Sequence, residues 1–237
     1  MSNRPYSFWV GHFTCSNQVV LRGCVVCFRD KVNVMNKTRI ALLGTLADLH
    51  AQPIRYDLAE LERIVATTQP DLLGVEIERD EFERNDFVNA PLEVRDALIP
   101  LARKTDMVIV PLGAMSRDEL LASGKGWLLD LRTALIRALE GLVPWIQTTA
   151  SDARTINSAL VCHTCGWLCD LEAMASGAAG RRAWAAANDN LLTQIVSMAR
   201  HDPNTRILVA VQCRRKHWLD SKLRRMADVE LVNYWEL

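Results

Sequence analysis

The chain has 237 residues, 49% of them hydrophobic and 24% charged, which suits one sizeable globular core and is short for two full domains. Lys plus Arg and Asp plus Glu each number 28, so the formal net charge is zero and overall charge gives no footing to a nucleic-acid partner. No apolar run approaches the roughly 20 residues that cross a bilayer; the longest, such as 206–213, have strand length, and no membrane partner is expected.

Residues 1–34 mix Trp, Phe, Cys, Arg and Gly without a helical or strand period and read as an extension, not native or disordered. The alternative is an N-terminal hairpin with a strand at 18–26. Cysteine usage adds a compartment. The seven thiols, Cys15, Cys24, Cys27, Cys162, Cys165, Cys169 and Cys213, are odd in number, and no signal peptide precedes them. That pattern argues against a secreted disulfide scaffold and predicts a reducing, cytoplasmic setting.

From Met35 the pattern becomes regular. Residues 39–44 are a short apolar run ending at Gly44-Thr45, the profile of a buried parallel strand. Residues 57–68 place Leu58, Leu61, Ile64 and Val65 at helical spacing, with Asp57 as N-cap and Gln69-Pro70 as the stop. A second buried strand follows at 71–77, then a mostly helical stretch at 92–104 kinked by Pro100, then a third strand at 107–112. Helices are predicted over 127–142, before Pro144, and over 155–174. Residues 177–180 read as a small flexible break before the clearest helix, 181–200, with Trp184, Ala187, Leu191, Ile195 and Met198 on one face. Asp202-Pro203-Asn204 ends it. A fourth strand at 206–213, a helix at 217–226 and a last strand at 229–235 close the chain.

Strands alternating with helices predict an α/β domain over 35–237: a mainly parallel central sheet with helices on both faces. Such sheets bind ligands at the carboxyl ends of their strands, which selects the candidates for function. The first strand runs out through Asp48 to His50. Glu76 and Glu78 end the second, and period-2 spacing points their side chains the same way. The fourth leads into Arg214-Arg215-Lys216-His217. Glu76 sits in an otherwise apolar strand, where a charge is costly unless it faces a cleft or a partner. Glu78 opens the run Glu78-Arg79-Asp80-Glu81, which also reads as a solvated turn. Carboxylates with imidazoles suit a divalent metal that activates water, with Glu76, His50 and His217 as its ligands. The same groups also suit general acid–base work without metal. Asp48, Glu78, Arg214 and Arg215 are the candidate ligand-binding residues, for a polar or anionic small molecule or peptide. Cys162, Cys165 and Cys169, at i, i+3 and i+7, share one helical face and read as a buried, reduced core stripe; pairing with Cys24 and Cys27 as a zinc site is the weaker alternative.

From Met35 onward the layout resembles the TraB/PrgY/Tiki group, within the broader fold class of erythromycin esterases and ChaN-like haem-binding proteins. Ile40-Ala41-Leu42-Leu43-Gly44-Thr45 with His50 beyond, Gln69-Pro70-Asp71-Leu72-Leu73-Gly74-Val75-Glu76, and Asn188-Asp189-Asn190 followed by 207–217 carry the resemblance. It departs at Ala47, where the group has its first histidine, and at Arg214, where the group has a glycine before the second. The resemblance implies a metal-assisted hydrolase or peptidase centred on Glu76, His50 and His217. The departures favour a second reading: a catalytically silent relative that binds an anionic small molecule or serves as an interaction domain.

Overall fold

The sheet is built from short apolar strands that bury both faces, and they fall where the sequence runs predict. β1 is Thr38–Thr45, β2 Leu72–Val75, β3 Val108–Pro111, β4 Arg206–Gln212 and β5 Val229–Val232. A computed structural model describes residues 37–113, 127–150 and 152–237, with side chains from 133 onward in the second stretch; all belong to one unit, Met35–Leu237. The readings of residues 1–34, including the hairpin and the Cys24–Cys27 pair, lie outside the described residues. All five strands are parallel, in the order β3-β2-β4-β1-β5.

Alternation along the strands makes two cores. Ala41, Leu43, Leu73, Val75, Leu208 and Ala210 point to one face. There they meet Leu61 and Val65 of helix α1 (Leu58–Thr68), Leu139 and Val143 of α4 (Trp127–Thr149), and Cys165 and Leu168 of α6 (Ala159–Ala175). Ile40, Leu42, Leu72, Ile207, Val209 and Val211 point to the other. They pack on Leu191, Ile195 and Met198 of α7 (Gly177–His201) and on Leu219 and Leu223 of α8 (Cys213–Leu223). The α/β class and the parallel sheet are therefore as expected, and no helix among the described residues is long and apolar enough to cross a membrane.

Several helix boundaries differ from expectation, each for a local reason. Asp57 does cap α1, its carboxylate accepting from the Glu60 N–H at 2.9 Å. The charge run 78–81, read as a solvated turn, opens a short helix α2 (Arg79–Arg84). The stretch 92–104 is a π-turn at Val94–Leu98 running into α3 (Ile99–Ala102), with Pro100 in the first turn of α3. Helix α4 does not stop before Pro144 but continues to Thr149, held by Val143 and Gln147 on the buried side. The helix expected over 155–174 is broken into α5 (Ala153–Ile156) and α6. Asn157 there spends its side chain on Gly44, accepting from its N–H at 2.6 Å, and Ser158 caps α6. Residues 177–180 are not a break but the first turn of α7. Gly177, at φ +81°, makes the sharp link from α6 that no side-chain-bearing residue adopts readily. Helix α8 begins at Cys213, four residues ahead of its expected start at 217, which moves Arg214, Arg215, Lys216 and His217 from a strand end onto a helix.

Candidate functional site

The register decides what meets at the carboxyl edge. Thr45 pairs with Gln212, and Val75 pairs with Ala210, so Glu76 emerges beside the last residues of β4. A cavity of about 560 Å³ opens there. Its walls are Thr45, Ala47 and Asp48 after β1, Glu76 after β2, Gln212, Arg214 and Arg215 at the start of α8, and Glu140 and Gln147 of α4. Ala47 has a left-handed backbone, φ +51°, uncommon for a residue with a side chain. A second cavity of about 500 Å³, lined by Arg63, Tyr234 and Trp235 among others, includes Arg206 at the amino end of β4, away from the strand carboxyl ends.

Glu76 is buried and fully engaged. One carboxylate oxygen accepts from the Gln212 N–H at 2.7 Å, and the other lies 3.3 Å from the Arg215 guanidinium. Arg215, only 3% exposed, also lies over the Trp184 ring at 5.9 Å, and its Nε has no partner among the described residues. Arg214 beside it is half-buried and lines the cavity, as does exposed Asp48. Four of the expected residues, Glu76, Asp48, Arg214 and Arg215, are thus brought together.

The other three are not. Glu78 is exposed at the start of α2 and does not line the cavity, so the two carboxylates expected to point the same way diverge where β2 ends at Val75. His50 is buried in the turn after β1. Its Nε2 accepts from the Leu46 N–H at 3.0 Å, its Nδ1–H donates to the Tyr56 carbonyl at 2.8 Å, and its ring meets Tyr56 edge-on. Burial holds it below the usual histidine range, so it stays neutral and pins the loop. With both nitrogens engaged it has no lone pair or proton left for a metal or a substrate. We expect His50→Ala to destabilise the fold by about 1–3 kcal/mol by stranding those two backbone groups; a denaturant melt unchanged by the substitution would contradict this role.

His217 does not line the cavity with Glu76, as expected for a shared Glu/His site. It lies on α8 toward α6, its ring stacked on His163 at 4.4 Å, where Gly166 gives it room: a Cβ on Gly166 would come within 3.2 Å of the His217 Cβ. The cause is the early start of α8, which turns the basic triplet and His217 onto successive helical positions. Glu76, His50 and His217 therefore do not converge on a divalent metal. Among the described residues no group of three His, Cys, Asp or Glu side chains is placed to hold one. The cysteines lie elsewhere: Cys162, Cys165, Cys169 and Cys213 are buried and unpaired by disulfides, and burial helps push the Cys169 and Cys213 thiols up to about 12.

One group went unnoticed in the sequence. Glu93 is 2% exposed and accepts the Thr45 hydroxyl proton at 2.7 Å, while its other oxygen has no partner among the described residues. Burial raises its carboxyl to about 7, with Glu76 and Asp48 adding in the same direction. Asn188 on α7, named in the resemblance but not as a site residue, is fully buried with its amide unpartnered among the described residues, one helical turn beyond Trp184. The signal for Glu93 was present: with Val94, Ala97 and Leu98 it shares the buried side of its turn. The edge thus carries a cavity with a buried ion pair in its wall and a buried, proton-exchangeable carboxyl behind Thr45. No family model matches the chain, and no curated protein or solved structure matches it.

Proposed function

We propose that this protein binds a polar small molecule carrying an anionic group, in the cavity at the carboxyl ends of β1, β2 and β4. The observation that carries the reading is Arg215. A buried guanidinium is costly unless its donors are used; Glu76 takes one side of it, Nε is unmatched, and the residue lines a cavity large enough for a metabolite-sized ligand. Arg214 adds a second cation to the same wall, with no ion pair among the described residues. The hydrolase reading implied by the TraB/PrgY/Tiki resemblance asks Glu76, His50 and His217 to act on one substrate with a divalent metal. Their placement does not fit that ion.

The test is a titration with butanoate and with inorganic phosphate, followed by the arginine Nε–H resonances. At least one anion should give a saturable shift at Arg215. Arg214→Ala should weaken that binding by roughly ten- to a hundredfold, the loss of one charge-assisted hydrogen bond. No saturable shift with either probe would overturn the reading.

A further inference from the structure

The charge of the cavity wall narrows the ligand, given the binding reading above. Arg215 is matched by Glu76 within the wall and offers little net charge to a guest. That leaves Arg214 against Asp48 and Glu140, none of which makes a hydrogen bond or ion pair among the described residues. One cation facing two carboxylates binds a lone anion or a dianion less well than an anionic group whose molecule also carries a positive charge. The neutral groups lean the same way. The Thr45 hydroxyl spends its proton on Glu93, so toward the cavity it presents lone pairs, an acceptor. Behind it Glu93 is more than nine-tenths buried with one oxygen unpartnered. A cationic donor at Thr45 would add to the offset of that carboxylate's desolvation, which the Thr45 hydroxyl and a backbone hydrogen bond now supply in part.

We propose that the ligand is a zwitterion, with its anionic group on Arg214 and an ammonium at the wall formed by Thr45 and Asp48, with Glu140 adding to the negative field. An ammonium has three donors and no acceptor, which matches a hydroxyl lone pair and carboxylate oxygens. The wall does not fix the spacing between the two ends, so the chemical class is an amino acid of α or ω type.

The experiment titrates the full chain at pH 8, above the value of about 7 to which burial raises Glu93. The probes are three matched sets: glycine, acetate and methylamine; 4-aminobutanoate, butanoate and butylamine; 6-aminohexanoate, hexanoate and hexylamine. The expected result is that at least one amino acid binds ten times or more tighter than both its matched carboxylate and its matched amine. Asp48→Asn, at an exposed position where the fold tolerates change, should remove most of that advantage. If carboxylates bind as tightly as the amino acids and still weaken in Arg214→Ala, the zwitterion inference is overturned while the anion site stands. If amines bind as tightly as the amino acids, it is overturned in favour of a cation site. If no probe binds, both readings fall.

Discussion

Replacing Glu76 with alanine should cost the fold about 3–5 kcal/mol, the largest effect expected of any single change at this edge. The carboxylate does two things at once. It accepts the Gln212 N–H where β4 passes into α8, and it is the anionic partner of a guanidinium that is 3% exposed. Removing it strands a buried cation, left with the Trp184 ring at 5.9 Å and no carboxylate partner among the described residues. The same logic predicts the rescue. Glu76→Met with Arg215→Met removes both charges, fills similar volume and should recover most of the loss, because a buried pair contributes little net stability while half of one is strongly unfavourable. Urea denaturation of the two single variants and the double variant measures this directly. A loss below about 1 kcal/mol in Glu76→Ala would mean that the pair is solvated and that Arg215 needs no anion. The outcome also bears on function. The geometry makes Glu76 the residue that holds Arg215 in the cavity wall.

How much of this was legible in the sequence follows from which forces are local. The strands were legible because an apolar run flanked by polar residues has few alternatives, and β1, β2, β3 and β4 fall within a few residues of the expected bounds. Glu76 was legible for the same reason, as a charge at the end of such a run. Its partner was not: a charge in an apolar strand announces that it needs compensation, but whether by solvent, ligand or cation is set by the register of β2 on β4 and by the start of α8. The start of α8 was misplaced because Cys213-Arg214-Arg215-Lys216 carries no apolar period. The helix there is fixed by tertiary packing of Cys213 and Arg215, both buried. His50 illustrates the opposite error. A histidine after a strand end was read as chemistry, whereas its two nitrogens close a backbone turn, something only the fold of residues 46–56 reveals.

The second large effect is a pH dependence carried by Glu93. Its carboxyl titrates near 7 in the folded protein, raised from about 4.5 by burial. A group whose folded value is raised favours the protonated form on folding. Its stability is therefore fully present below about 4.5, is lost as pH rises between the two values, and is gone above 7. The shift corresponds to about 3 kcal/mol across that window. Glu93→Gln keeps an acceptor for the Thr45 hydroxyl and cannot ionise, so the variant should match the wild type near pH 4.5 and exceed it by up to about 3 kcal/mol at pH 8. His50, held neutral by burial, works in the opposite sense, its contribution present above about 6.5 and lost as pH falls from there through its lowered folded value, but it is present in both proteins and cancels in the difference. Unfolding free energies of the two proteins at half-unit steps from pH 4.5 to 8 give the curve. A difference that stays flat within about 0.5 kcal/mol would show that the carboxyl is hydrated in the folded protein. A rise toward high pH would show an ionised Glu93 buried behind Thr45 at a cost, and ligand should then close the gap: an ammonium seated at Thr45 stabilises the wild type more than Glu93→Gln at pH 8 and not at pH 5.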